Sequence, residues 1–129
     1  MSFLLSICIP TFNRCSFLNT LVSQWIEEIN KLNLNSFICI DIVDNSSTDI
    51  TSAILEELSL SAKEKSVTLN YTINSKNIGL GGSLSKLIKS SDSDYIWTMG
   101  DDDSVDFSKL NSVVKLLKGL SHDVIFLKT

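Results

Sequence analysis

Short apolar runs alternate with helical stripes along the whole chain, and this alternation constrains the fold more than any other feature of the sequence. Leu4 to Ile9 is a compact apolar run closed by Pro10, which predicts a buried strand that ends where its ladder must stop. Phe17, Leu18, Leu21, Val22, Trp25, Ile26 and Ile29 then fall on one face at helical spacing, with Ser16 placed as a cap. Phe37 to Val43 is a second strand, rich in β-branched residues. Ile50, Ala53, Ile54 and Leu58 mark a second helix with Thr48 or Asp49 near its start. Val67 to Ile73 alternates, which predicts an edge strand or one wetter face. Leu80, Leu84, Leu87 and Ile88 space a third helix, and Tyr95 to Met99 is a fourth strand. Phe107, Leu110, Val113, Val114 and Leu117 make a fourth helix ending at Gly119, before a fifth strand at Val124 to Leu127. Strands joined by crossover helices predict an α/β fold with a mostly parallel sheet and helices on both faces. The chain stops directly after its fifth strand with no closing helix, so residues 1–129 are expected to be a truncated domain from a longer protein.

Composition sets the class. At 129 residues and 43% hydrophobic content the chain can bury one core, which excludes disorder. Fifteen acids against 11 bases give a formal charge of −4, which argues against nucleic acid as a partner. Three cysteines without a CxxC pair make neither a disulfide framework nor a zinc site, and Cys8 and Cys39 sit in apolar runs as buried free thiols do. No apolar run approaches the ~18 residues of a membrane span. The N-terminus lacks the basic region of a secretory signal. These features predict a soluble chain in a reducing, cytoplasmic compartment.

In parallel sheets ligands bind at the carboxyl ends of the strands, so the loops after Ile9, Val43, Ile73 and Met99 are where chemistry is expected. The last of these reads Gly100-Asp101-Asp102-Asp103-Ser104-Val105-Asp106, and six acids with no base lie between Asp92 and Asp106. Adjacent carboxylates repel unless a cation sits among them, and hard oxygens suit Mg²⁺ or Mn²⁺ completed by substrate phosphates. The alternative is that Asp103 or Asp106 caps the following helix. After the second strand, Asp44 stands too early to cap a helix and is the candidate for a ribose or base contact, while Asp49 suits a cap equally well. Arg14, the lone arginine, can meet a phosphate bidentately or remain a solvated group at a helix start. Asn77-Ile78-Gly79-Leu80-Gly81-Gly82 could admit phosphates to a helix N-terminus but lacks the ending of a P-loop. His122, the single histidine, precedes the last strand, and no Ser-His-Asp or Cys-His set assembles.

Ile7-Cys8-Ile9-Pro10-Thr11-Phe12-Asn13-Arg14, Val43-Asp44-Asn45-Ser46-Ser47-Thr48-Asp49, Asn77-Ile78-Gly79 and Gly100-Asp101-Asp102-Asp103 together, in that order, resemble the family 2 glycosyltransferases of the GT-A fold. The resemblance covers essentially all of the chain. The Tyr95–Asp103 stretch is further similar to enzymes that add sugars to bacterial O-antigen, a part of lipopolysaccharide synthesis. This implies a nucleotide-diphosphate sugar donor, inversion at the anomeric carbon, and a hydroxyl of a glycan or lipid-linked acceptor. By position, Pro10, Thr11 and Arg14 would line the nucleotide pocket, Asp44 would contact the base, and Asn77 to Gly79 would border the nucleotide. Asp101 and Asp103 would be the acids of the DxD motif, Asp101 towards ribose and Asp103, with Asp101, on Mn²⁺ or Mg²⁺, while Asp102 beside them would touch the nucleotide sugar. A shifted register makes Asp102 the metal ligand instead. The usual second acid after Asp44 is Asn45, the usual glycine is Ser46, and Leu84 stands near the place of a common arginine. The catalytic base is expected beyond Thr129. Peripheral association with the inner face of the plasma membrane and self-association of a fragment are further expectations. The rival readings are a non-catalytic nucleotide-sugar-binding module and a Mg²⁺-dependent phosphotransferase.

Overall fold

The computed structural model describes residues 2–119. The elements run β1 (Leu5–Thr11), α1 (Cys15–Lys31), β2 (Ile38–Asp44), α2 (Thr51–Glu64), β3 (Thr68–Ile73), α3 (Gly79–Ser90), β4 (Tyr95–Thr98), a 3-10 turn (Phe107–Lys109) and α4 (Leu110–Lys118). The four strands form one sheet in the order β3-β2-β1-β4, and every pairing is parallel. The expected α/β architecture is therefore present. The alternating strand at Val67 to Ile73 is an edge, as its pattern predicted. The fifth strand, Val124 to Leu127, and His122 lie outside the described residues.

The side chains of a strand point alternately to the two faces of its sheet. On one face Leu5, Ile7 and Ile9 join Ile38, Ile40 and Ile42 under the apolar stripes of α1, α2 and α4. On the other face Cys8 and Val43 meet Leu87 of α3. Helices thus cover both faces. The second face also holds a polar band, where Asp41 accepts from the Ser6 hydroxyl and, at 3.1 Å, from the amide of Asn70. Polar groups within buried strands need such partners. Burial pushes the Cys8 thiol up to about 11, so it is an inert core group rather than a nucleophile.

Trp25 of α1 is the hub of the larger core. It is fully buried, meets Trp97 and Phe107 edge-on at centroid distances of 5.5 and 4.9 Å, and donates its indole N–H to the Met99 sulfur at 3.3 Å. This one side chain fastens α1 to β4 and to the turn that precedes α4. Both tryptophans therefore pack the core.

Local boundaries differ from the sequence reading in informative ways. β1 continues through Pro10 to Thr11 instead of ending before the proline. The Cys8 carbonyl faces β4 and accepts from Met99 N–H at 3.1 Å, and the β1–β4 ladder ends at the Cys8–Thr98 pair. Pro10, two residues on, faces the same side beyond that end, so its missing N–H interrupts nothing. Ser16 is not a cap: α1 begins at Cys15, whose N–H goes to Asp49 Oδ2 at 3.3 Å. The glycines of the third loop do not precede a helix either, because Gly79, Gly81 and Gly82 form the first turn of α3. Asp106 takes the capping role, accepting from Ser108 N–H at 3.1 Å. Among the described residues no helix is long and apolar enough to cross a membrane.

Replacing Trp25 by alanine is expected to lower stability by about 3–5 kcal/mol, the cost of emptying a large aromatic site. Denaturant midpoints of the parent and variant measure it.

Candidate functional site

The carboxyl ends of the strands carry a cavity of about 430 Å³. Four segments converge on it: Pro10, Thr11, Phe12 and Arg14 at and beyond the end of β1, Asn45 after β2, Asn77, Gly79 and Leu80 at the start of α3, and Gly100 to Asp102 after β4, with Ser83 of α3. Of the residues singled out from sequence, the fold thus brings together Pro10, Thr11, Arg14, Asn77, Gly79, Asp101 and Asp102. Asp44 and Asp103 do not line this cavity.

Asp101 is the buried acid of the wall. Its Oδ2 accepts from the Thr11 hydroxyl at 2.8 Å, and its Oδ1 lies 3.5 Å from the Arg14 guanidinium. Burial raises its carboxyl above the ordinary value, while the Thr11 hydrogen bond and the Arg14 charge pull the other way. Arg14 also donates to Asp102 at 3.0 Å, where both side chains are about half exposed (51% and 49%). Asp103 turns back instead, its Oδ2 accepting from Gly100 N–H at 2.9 Å. It faces a second hollow of about 490 Å³ against Phe17, Thr20 and Gln24 of α1, on the far side of Asp101 and Asp102.

Asp44 is buried at the end of β2, where its Oδ1 accepts from both the N–H and the hydroxyl of Ser47. It shapes the turn in which Ser46 adopts a φ of +67°. Asn45 is the cavity residue of this loop, and sequence reading passed over it as a mere departure from an acidic pattern. Its position at a strand end, beside an acid, was the available signal. Asn45 Oδ1 accepts from Ile78 N–H at 2.8 Å and from Asn74 at 3.2 Å, and its Nδ2 donates to Asn77 Oδ1 at 2.8 Å. Asn77 Oδ1 accepts in addition from Gly79 N–H at 2.8 Å, at a residue whose φ of +78° suits glycine.

The first two loops are sewn together by side chains. Asn13 donates its N–H to the Ser47 hydroxyl at 2.8 Å and accepts from Thr48 N–H at 2.7 Å. Asp49 serves two helices, taking Cys15 N–H of α1 on Oδ2 and Thr51 N–H of α2 on Oδ1 at 3.0 Å. The hydrogen bond from the Thr51 hydroxyl is the main reason its carboxyl sits below the usual value.

The profile of the family described as glycosyl transferase family 2 matches residues 6–129. The chain belongs to that family. The abequosyltransferase RfbV of Salmonella typhimurium is 34% identical over 102 residues, which are 79% of this chain and 29% of that protein. Among solved structures, S. aureus TarS 1-349 superposes with a TM-score of 0.61 at 21% identity, over 92% of this chain and 32% of its own. It has also been solved in complex with UDP. The mannosyltransferase PcManGT of Pyrobaculum calidifontis, in complex with GDP-Man and Mn²⁺, gives a TM-score of 0.65 at 15% identity, over 90% and 33% of the two chains. These superpositions bear on fold, and the fold is the GT-A fold of these glycosyltransferases. The chain spans less than a third of the length of the curated relative it matches.

Two outcomes follow for this family 2 member. Asp49→Ala is expected to lower stability by about 1 kcal/mol, the ordinary cost of a lost helix cap, in urea titrations near neutral pH. Asp101 has the opposite sign. Its folded-state value is raised, so the folded chain holds the proton more tightly than the unfolded chain does. Stability therefore falls as pH rises from the unfolded carboxylate value, about 3.9, through the folded one. Asp101→Asn is expected to raise the melting temperature at pH 7 and to flatten that descent, as thermal melts of parent and variant at stepped pH measure.

Proposed function

We propose that this chain is the donor-binding part of an inverting glycosyltransferase of bacterial surface polysaccharide synthesis, and that the cavity of Thr11, Arg14, Asn77, Gly79, Asp101 and Asp102 takes the nucleoside diphosphate of a nucleotide sugar. The carrying observation is that loops far apart in sequence place those residues around one cavity at the strand ends. The similarity to an abequosyltransferase supports O-antigen-type chemistry, and the UDP and GDP-Man complexes of TarS and PcManGT support a nucleotide-sugar donor.

In this reading Arg14 turns from Asp102 to a phosphate of the donor, a partner its planar fork matches. Asp101, held by Thr11, accepts from a ribose hydroxyl. A divalent ion fits the wall on the chemistry of its donors: two carboxylates, one half-exposed, present hard oxygens, and no cluster of three ligating side chains forms a ready cage among the described residues. Diphosphate oxygens complete such a site. Because Asp103 is folded onto Gly100, Asp102 rather than Asp103 is the proposed ligand beside Asp101. The Mn²⁺ or Mg²⁺ would neutralise the charge that develops on the leaving diphosphate. Asp44, behind the lining, supports the Ser46–Ser47 turn and leaves base contact to the cavity residues. The acceptor hydroxyl of a glycan or lipid-linked acceptor needs a base within about 3 Å, a role separate from those assigned here to the donor-binding residues.

The test is calorimetric titration of the protein with UDP, GDP and CDP, with Mn²⁺ or with EDTA. Tight binding of at least one nucleotide that weakens tenfold or more in EDTA, and likewise in Asp102→Asn, is the expected result. Equal binding in EDTA would remove the metal from the proposal. Absence of binding for all three would remove the donor site itself.

A further inference from the structure

We infer that Asn45 is a positioning residue for nucleotide recognition: as a neutral amide it clamps the β3–α3 loop so that Asn77 offers hydrogen-bond donors, not an acceptor, to the bound nucleoside diphosphate. The inference rests on the nucleotide reading of the cavity and concerns which polarity its rim presents.

A carboxamide has one oxygen with two acceptor sites and one nitrogen with two donors. Asn45 is 6% exposed, and its oxygen is saturated by Ile78 N–H and Asn74. Its nitrogen donates to Asn77 Oδ1. That same Asn77 oxygen receives Gly79 N–H, so both of its acceptor sites are filled from inside the protein. The orientation of the Asn77 amide is thereby fixed, with the oxygen inward. Its Nδ2 has no protein acceptor among the described residues, and Asn77 lines the cavity. Two N–H groups are left for a ligand acceptor, such as a carbonyl or ring nitrogen of a base or an oxygen of ribose or phosphate.

A donor at position 45 reinforces the orientation that Gly79 N–H also favours, and a carboxylate there opposes it. A carboxylate of the same shape would still accept from Ile78 and Asn74, but it would set oxygen against oxygen at the 2.8 Å contact with Asn77. Asn77 would then turn its nitrogen inward, surrender Gly79 N–H and present oxygen to the cavity. The polarity of the rim would invert with no change of volume. Protonation of that carboxyl would restore a donor and with it the original orientation.

The Asn45→Asp variant tests this in two ways. Amide hydrogen exchange without ligand reads the clamp itself: at pH 7.5 Gly79 N–H is expected to exchange at least tenfold faster than in the parent. Ile78 N–H, whose acceptor survives, should stay protected and so report an intact loop. Calorimetry with whichever of UDP, GDP or CDP the parent binds reads the consequence. A loss of affinity of tenfold or more at pH 7.5, shrinking toward the parent value at pH 5, is expected, whereas Asn45→Ala should show a loss that acid does not repair. The other ionisable groups near the loop are Lys86, on Asn74 Oδ1 at 2.8 Å, Asp44, and Arg14, Asp101 and Asp102 across the cavity. All are shared with the parent, so each pH point is taken as a ratio to it. Unchanged Gly79 exchange would overturn the clamp, and so would an affinity loss identical at both pH values. If the parent binds none of the nucleotides while Gly79 exchange responds as expected, the donor-site reading fails and the clamp stands.

Discussion

The hydrogen bond from Thr11 to Asp101 joins residues 90 apart in sequence and closes the ring of loops on which the site depends. It fastens the end of β1 to the turn after β4 at the one place where the ladder between those strands has stopped. The acid sits against protein on most sides, so the bond is made where competition from water is weak, and losing either partner would strand a buried polar group. Arg14 adds charge to the same point without burying itself. Thr11, Arg14 and Asp101 thus define one wall.

The other side of the cavity is built differently, from neutral amides. Asn45, Asn74 and Asn77 bond one another and the backbone of the next turn, and Lys86 completes the set. The two walls therefore differ in electrostatic character. One is acidic and tuned by an arginine and by burial; the other is a dipolar lattice whose orientation is set by counting donors. In the proposed reading, the diphosphate of the donor and its cation would lie against the first wall and the uncharged hydrogen-bonding groups of the nucleoside against the second.

Much of the fold was legible because its determinants are periodic. The two-sided burial of β1 and β2 required continuous apolar runs, the stripe of α1 required helical spacing, and the alternation of Val67 to Ile73 marked an edge. Boundaries were less legible, since they depend on partners distant in sequence. Asp49 caps a helix that begins 34 residues before it, which no local rule for Ser16 could reveal. The site shows the same division. Acids and an arginine at strand ends stood out by residue type, and the fold gathers most of them. Asp103 and Asp44 were turned aside by bonds to Gly100 and Ser47 that lie only three residues away, yet depend on turn geometry rather than composition. Asn45 stood out only as a departure from an acidic pattern, because an amide carries no charge to mark it as a site residue and its three partners come from another loop.

Pro10 has a wider meaning than a tolerated irregularity. A parallel sheet lengthens by adding one rung at a time, and each rung requires a backbone donor facing its neighbour. At Pro10 that donor is absent on the β4 side, so a rung beyond the Cys8–Thr98 pair would find no N–H from β1. The two strands part, Gly100 and Asp101 swing away, and both they and Pro10 border the opening. The cavity thus opens where the seam ends: a ring without an N–H, in an inner strand of the sheet, borders the gap over which the loops gather.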